Sequence, residues 1–205
     1  MSKLNRKNFF DRVRVKLFAG TLKQAQVDGL SEILNAWEKN HAAKDDRWLA
    51  YALATAFHET AFKMKPGHEF GGADYFFRMY DKAGARPAKA AELGNTQAGD
   101  GVLFHGRGYV QLTGRRNYAR MGTLFAVDLT SNEAAANRAL ELGLAARIMF
   151  QGMEEGLFTG RKFADFFKGD KADWKNARKI INGLDVADKI ALYGREFYDS
   201  ISYTV

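Results

Sequence analysis

The stretch DDRWLAYALATAFHET, residues 45–60, is the most apolar part of the chain and indicates its fold class. Its apolar side chains recur at helical spacing, and an aspartate at the start is a typical helix N-cap. The sequence therefore predicts a core helix over residues 46–60, capped by Asp45 or Asp46. The predicted buried stripe consists of Trp48, Leu49, Ala52, Leu53, Ala56 and Phe57.

A second line of side chains on this helix is polar. Tyr51, Thr55 and Glu59 follow one another at intervals of four residues, so they share one face. A polar line on an otherwise apolar helix indicates a wall that faces a cleft. The proline and glycine at 66–67 forbid continuation of the helix, and a second glutamate, Glu69, follows ten residues after Glu59.

Apolar periodicity predicts further helices on both sides of this segment. They cover residues 4–18, 23–39, 131–156, 172–183 and 186–201, with Thr21 as the cap of the second and Ser131 or Asn132 as the cap of the third. Residues 61–114 are rich in glycine and aromatic side chains and have weak periodicity, so they are predicted to be largely irregular. Within them, YVQLT (109–113) fits a short strand or a helix start. The fold class predicted is mainly α.

The composition fits a folded globular protein without disulfides. The 205 residues are 46% hydrophobic, which allows a sizeable core in one domain or two joined lobes. Cysteine is absent, which excludes thiolate metal sites and favours a reducing cytoplasm. We expect no signal peptide and no transmembrane segment, because no apolar run is long enough for either.

The net charge of +7 predicts attraction to polyanions. Nucleic acid, anionic lipid and cell-wall polymer all qualify, and a basic surface also serves solubility alone. The charge therefore does not choose among these classes.

Glu59 and Glu69 are candidates for a general acid and a general base. Cleavage of a glycosidic bond needs one carboxylic acid that keeps its proton and one ionised carboxylate. Phe57 and Phe62 would give Glu59 apolar surroundings, whereas the glycines and the histidine beside Glu69 predict a solvated, ionised group. The alternative is an ordinary helix-end glutamate paired with a lysine, and a glutamate in a surface turn.

The sequence HET also opens a zinc-protease motif, but the second histidine of that motif would fall on Phe62. With four histidines and no cysteine in the chain, zinc ligands are scarce. We expect no metal.

The segment FHGRGYVQLTGRRNY, residues 104–118, is a second candidate site. Glycines flank Arg107, so the backbone can approach a ligand there. Tyr109, Gln111, Thr113 and Asn117 offer hydroxyl and amide groups that suit sugar hydroxyls and acetamides. A nucleic-acid patch is the alternative, in which Tyr109 and Tyr118 stack on bases and the nearby arginines contact phosphates. These arginines are Arg107, Arg115, Arg116 and Arg120.

The segment IINGLD, residues 180–185, is the third candidate. Asn182 precedes a glycine there, and a simple helix C-cap is the alternative to a functional role.

Together these motifs resemble the family 19 glycoside hydrolases, and most of all the branch of phage endolysins and chitinase-like proteins that degrade peptidoglycan. The resemblance runs from about residue 23 to about residue 199. It is carried by AFHET (56–60), the glutamate ten residues later, HGRGYVQLTGRRNY (105–118) and IING (180–183).

The resemblance implies a role for each candidate residue. Glu59 is the general acid, Glu69 is the base that activates water, and Thr113 helps to hold that water. The implied substrate-binding residues are His58, Arg107, Tyr109, Gln111, Asn117 and Asn182.

The resemblance also implies a lysozyme-like fold, with two α-helical lobes and a central substrate cleft, as a single catalytic domain over residues 1–205 without a separate wall-binding domain. The reaction is expected to invert the configuration at the anomeric carbon, with the two carboxyl groups about 6.5–9.5 Å apart. No metal or cofactor is implied.

The expected function is therefore hydrolysis of the β-1,4 glycan backbone of peptidoglycan by a muramidase-like endolysin. It would accumulate as a monomer in the host bacterial cytoplasm, bind no nucleic acid, and reach periplasmic peptidoglycan through holin-type membrane permeabilisation. The helices at 4–18 and 23–39 are candidates for additional wall contacts. A chitinase with the same residues is the alternative, and a non-catalytic wall- or nucleic-acid-binding protein is a second one.

Overall fold

The computed structural model describes residues 3–204 and confirms the mainly α fold class. Its helices are α1 (Arg6–Lys16), α2 (Gln24–Asn40), α3 (Asp46–Glu59), α4 (Ala73–Tyr80), α5 (Pro87–Leu93), α6 (Asp100–Leu103), α7 (Arg115–Phe125), α8 (Glu133–Asn137), α9 (Leu142–Glu155) and α10 (Ala187–Ser200). Short 3₁₀ helices cover Arg138–Leu140, Phe163–Asp165 and Asn176–Ile180. The strands are β1 (Gly67–His68), β2 (Arg107–Gly108), β3 (Phe167–Lys168) and β4 (Lys171–Ala172), paired as β1–β2 and β3–β4, both antiparallel.

The chain forms two compact units. The terminal unit comprises the described parts of Met1–Lys65 and Met149–Val205, and the central unit is Pro66–Ile148.

Helix α3 is the core of the terminal unit, as its sequence predicts. The Asp45 side chain caps it by accepting from the backbone N–H of Arg47 at 3.0 Å. Its side chains from Leu49 to Phe57 are buried, and α3 packs against α10. Gly194 of α10 permits the close approach of Trp174, because a Cβ there would lie 2.8 Å from the Trp174 ring.

The polar line on α3 does not form a cleft wall. Tyr51 is 0% exposed and packs against Phe167 and Trp174, while Thr55 is 1% exposed and donates its hydroxyl to the Tyr51 carbonyl. The expectation was wrong for these two residues because the Tyr51 ring packs among aromatic side chains, and Thr55 satisfies its hydroxyl within its own helix. Glu59, at the end of the line, retains partial exposure.

Helix α3 ends at Glu59, within one residue of the end predicted from the sequence. The residues beyond its C-terminus include Ala61, Phe62 and Met64 in the left-handed region, with φ of 48°, 67° and 52°. Side chains other than glycine rarely adopt this conformation, so the helix is ended by a strained turn.

The central unit contains three short helices, α4 to α6, where the sequence predicted a mostly irregular segment. Buried carboxylates organise them: Asp81 is 0% exposed and accepts from the backbone N–H groups of Gly99 and Gly101, and Asp100 pairs with Arg115 at 2.6 Å. Helices α4, α5 and α6 have 8, 7 and 4 residues, so they are too short to show a clear periodic pattern.

Two further helix predictions and one predicted helix cap need correction. Residues 131–156 form α8, a 3₁₀ turn and α9 in place of one helix, although Asn132 is the predicted cap and accepts from the Ala135 N–H. Residues 172–183 contain a 3₁₀ helix in place of an α-helix, and Lys23, not Thr21, is the N-cap of α2. None of the helices in the described chain has the length and apolar character to cross a bilayer.

Candidate active site

Glu69 is positioned by the two-stranded ribbon of the central unit. In this ribbon Gly67 pairs with Gly108 and His68 with Arg107. The pairing continues one residue further, because the Glu69 N–H donates to the Gly106 carbonyl at 2.7 Å. The loop glutamate predicted from the sequence is therefore fixed to the GRG motif.

Both carboxyl oxygens of Glu69 accept hydrogen bonds. The Tyr80 hydroxyl donates to Oε1 at 2.7 Å, and the Gly106 N–H donates to Oε2 at 3.0 Å. Burial and the bond to Glu69 raise the pKa of Tyr80, so its hydroxyl remains a donor. Each carboxylate oxygen can accept more than one bond, so the group can also take a proton from a water.

Gly106 allows the close packing around this carboxylate. A Cβ at position 106 would lie 2.8 Å from Gln111 Oε1 and 3.0 Å from Glu69 Oε2. The side chains of Glu69 and Gln111 therefore both pack against the backbone of Gly106, where any side chain larger than hydrogen would contact them.

Glu69 lies in the wall of a cavity of about 520 Å³ in the central unit. Cavities of this size accommodate small ligands or a segment of a polymer. Its lining is largely apolar and includes Phe76, Val102 and Leu103.

Two histidines stack beside Glu69 in the same cavity wall. His105 Nδ1 donates to the Val102 carbonyl at 2.6 Å, so its Nε2 accepts from His68 Nδ1 at 2.9 Å. Phe76 stacks on the His105 ring at 4.3 Å between centroids. Burial is the main cause that lowers the pKa of both histidines, which keeps this hydrogen-bonded pair neutral near pH 7.

The YVQLT segment is a tight turn, and neither a strand nor a helix start. Arg107 and Leu112 exchange backbone hydrogen bonds of 3.1 and 2.8 Å, and Gln111 between them has φ of 55°. The Thr113 hydroxyl donates to the Gln111 carbonyl at 2.8 Å, and the Asn117 amide donates to the Thr113 carbonyl at 2.8 Å. The Thr113 oxygen keeps lone pairs with which to accept from a water.

Arg107 and Tyr109 lie in the interior of the protein. Arg107 is 1% exposed and Tyr109 is 0% exposed. The Arg107 guanidinium donates to Asn137 Oδ1, the Leu103 carbonyl and the Tyr118 hydroxyl. This placement fits a role in holding the turn and argues against direct substrate contact by either residue.

The same burial removes base stacking by the two tyrosines, which the nucleic-acid alternative required. Tyr118 is also 0% exposed, so neither tyrosine presents a ring face to a base. Arg115 is paired with Asp100.

Glu59 has a charged partner in place of the apolar surroundings expected from the sequence. Arg178, whose side chain is 4% exposed, donates to Glu59 Oε1 at 2.6 Å and lies 3.4 Å from Asp185. The expectation was wrong because Arg178 comes from a 3₁₀ helix 119 residues further along the chain.

His58 and Asn182 complete the predicted residues of the terminal unit. Burial, opposed by Glu59, lowers the pKa of His58, which is therefore neutral near pH 7. Asn182 is exposed, and its Oδ1 accepts from the Gly183 N–H at 2.9 Å while its N–H donates to the Arg178 carbonyl at 3.0 Å.

The structure thus forms two groups of candidate residues. Glu69, Gln111, Thr113 and Asn117 belong to the central unit, and Glu59, His58 and Asn182 belong to the terminal unit. The predicted separation of the two carboxyl groups stays a prediction. Within residues 3–204, no cluster of three or more histidine, aspartate or glutamate side chains could hold a metal ion.

Sequence reasoning missed Tyr80 and Arg178. Tyr80 belongs to the segment predicted to be irregular, which carried no signal for its role. Arg178 had a weak signal, since it precedes the IING motif by two residues.

Comparison with known proteins supports the fold. Neither a scan against protein-family models nor a search of curated proteins found a match. Among solved structures, chitinase C from Streptomyces griseus matches with a TM-score of 0.53 and 15% identity, over 95% of this chain and 74% of that chain. At this identity the likeness shows the fold alone: the protein has a mainly α, chitinase-like fold.

Proposed function

We propose that this protein is a glycoside hydrolase that cleaves the β-1,4 glycan backbone of peptidoglycan in the manner of an endolysin. The observation that carries the proposal is the Glu69 carboxylate, which lies in a cavity wall with both oxygens held by donors. A carboxylate fixed beside a ligand-sized cavity is the arrangement that a general base requires.

In the proposed reaction Glu59 protonates the glycosidic oxygen, and Glu69 removes a proton from a water that Thr113 helps to hold. The water then attacks the anomeric carbon, the bond to the leaving oxygen breaks, and the configuration inverts. For Glu59 to act as the acid, its contact with Arg178 must loosen when the glycan binds, and Arg178 then limits where the carboxyl group can move.

His58, Gln111, Asn117 and Asn182 are the proposed substrate-binding residues. Their imidazole and amide groups suit acetamido sugars. Arg107 and Tyr109 are proposed to support the turn that carries Gln111 and Thr113.

Peptidoglycan is preferred because the chain carries a net charge of +7 and the stem peptides of Gram-negative peptidoglycan carry free carboxylates. Lysis should accordingly weaken as added salt screens surface charges. We further propose that the whole chain is one catalytic domain, acts as a monomer, and reaches its substrate after holin-type permeabilisation of the membrane.

A chitinase is the second candidate, and the solved structure named as a chitinase favours it. Both substrates present acetamido sugars in β-1,4 linkage. A non-catalytic binding protein ranks lower, since both carboxylates are present.

Mass spectrometry of the reducing ends after digestion distinguishes these candidates. The protein should release muramic acid reducing ends from purified sacculi and leave colloidal chitin largely intact. Release of N-acetylglucosamine oligomers from chitin alone would favour the chitinase. Binding to sacculi without any new reducing end would favour the non-catalytic protein.

A further inference from the structure

We propose that the terminal unit carries an accessory site that binds the acidic stem peptides of peptidoglycan. This inference rests on the proposed function, because it assumes that the polymer is peptidoglycan. The site is a second cavity, of about 520 Å³, lined by residues of α1, α2, α3 and α10, of the α1–α2 loop and of the turn after α3. That volume suits a few peptide residues and is too small for a folded domain or a helix.

The cavity is separate from the Glu59 carboxyl group. Phe57 lines the cavity and precedes Glu59 by two residues on α3. Two residues correspond to about 200° around an α-helix, so the two side chains leave the helix on nearly opposite sides. A ligand in this cavity is therefore held beside the proposed chemistry and does not take part in it.

The floor of the cavity is aromatic, and it is built with backbone strain. Phe62 has φ of 67° and is 41% exposed, although large apolar side chains rarely combine these features. The Gln26 side-chain amide donates to the Phe62 carbonyl at 2.9 Å, and the Phe62 N–H donates to the Phe57 carbonyl at 2.8 Å. These bonds fix the Phe62 ring at the cavity.

The rim of the cavity is basic. Lys16 and Lys23 line it, and Lys189 lies over the Phe62 ring at 5.7 Å from its centroid. Lys16 lies 3.8 Å from Glu196, whereas Lys23 has no carboxylate within ion-pairing distance in the part of the chain described. Within residues 3–204, no aspartate or glutamate lines the cavity. The lining therefore suits a ligand that combines apolar groups with carboxylates.

A peptide fits this lining better than a neutral sugar does. Sugars stack on an open aromatic face, but Lys189 lies over the partly exposed Phe62 ring, and Phe57 and Tyr193 lie beside it. Lysine side chains add affinity only for an anion. Stem peptides alternate small apolar side chains with carboxylates, which matches both the floor and the rim.

The test uses the full chain with Glu59→Gln, so that hydrolysis does not interfere with binding. The probe is the soluble tetrapeptide L-Ala–D-Glu–diaminopimelate–D-Ala, followed by NMR titration and calorimetry. The double variant Lys16→Gln/Lys23→Gln should weaken binding about fivefold, because partly exposed charge pairs contribute modestly. The control Lys39→Gln/Lys65→Gln changes the net charge equally, away from the cavity lining, and should bind within about twofold of the parent.

Equal weakening in the two double variants would overturn the proposal, since it would show attraction to net charge alone. A stronger effect of Phe62→Ala on chitotetraose than on the tetrapeptide would overturn it in favour of a sugar site. The proposed function is tested separately, by measuring new reducing ends after incubation of sacculi with the wild-type protein. The absence of new reducing ends would contradict that function. Peptide binding without hydrolysis would leave this site standing and remove only the hydrolase.

Discussion

Replacement of Gly106 by alanine should impair activity while leaving the fold largely intact. Gly106 does not have a positive φ, so alanine can adopt its backbone conformation without strain. Its new Cβ would lie 3.0 Å from Glu69 Oε2 and 2.8 Å from Gln111 Oε1. Since carbon–oxygen contacts are roughly 3.3 Å at closest, these atoms must retreat by about 0.3 and 0.5 Å.

Two of the three nearest atoms, Gln111 Oε1 and Glu69 Oε2, are the ends of flexible side chains, and the third, Glu69 Cβ, lies 3.1 Å from the new Cβ, so the effect on stability is modest. Forcing a side chain away from its preferred rotamer costs about 1 kcal/mol, which lowers the Tm of a chain this size by about 2–4 °C. The effect on catalysis is larger, because a 1 Å misplacement of a reacting group can cost about 100-fold. A displacement of a few tenths of an ångström should therefore lower kcat about tenfold.

Gly101→Ala is the contrasting control in the same unit. A Cβ at position 101 would lie 2.4 Å from the Asp81 backbone nitrogen, which cannot move aside. This variant should lose about 3 kcal/mol of stability and about 6–12 °C of Tm. The assay is reducing-end release from sacculi, with Tm measured by calorimetry. Wild-type kcat in Gly106→Ala would refute the argument that the position of Glu69 matters.

Three further predictions follow from the contacts described. Tyr80→Phe removes a donor to Glu69 and should lower kcat about tenfold with little change in KM, since a hydrogen bond to a charged group contributes about 1.5–3 kcal/mol; an unchanged kcat would contradict it. Arg178→Met leaves Glu59 without its charged partner and should lower Tm by about 6–12 °C. The double variant Arg178→Met/Glu59→Gln should recover part of that loss of Tm. No recovery would show that the two residues are not energetically coupled. The third prediction is that the free energy of unfolding falls as the pH drops below 6.5. Burial lowers the pKa of every histidine from 6.5, so the unfolded chain binds more protons than the folded chain in that range. A Tm that is flat from pH 7 to pH 5 would contradict it. The histidines are His41, His58, His68 and His105.

The sequence predicted those parts of the fold that depend on neighbouring residues. The apolar spacing of residues 46–59 and the Asp45 cap together specify α3, and Asn132 caps α8 for the same local reason. The class of fold follows from several such helices. Helices α4, α5 and α6 escaped prediction because four to eight residues are too few for a periodic pattern.

The surroundings of the candidate residues depend on distant parts of the chain. Glu69 receives its donors from Tyr80 and Gly106, which are 11 and 37 residues away. Glu59 meets Arg178 across 119 residues. Apolar neighbours in the sequence therefore do not predict which charged groups contact a side chain in the folded protein. For the same reason the glycine-flanked motif did not predict that Arg107 is buried.

The rate of reducing-end release from purified sacculi by Glu59→Gln and Glu69→Gln tests the central claim most directly. Glutamine keeps the size of each side chain and removes its ability to transfer a proton. Each variant should lose about 10²–10⁴-fold in rate. Glu69→Gln should leave Tm nearly unchanged, whereas Glu59→Gln should lower it because Arg178 loses its charged partner. Glu92→Gln, a surface change on α5, should retain full activity. Wild-type rates in either of the first two variants would contradict the account.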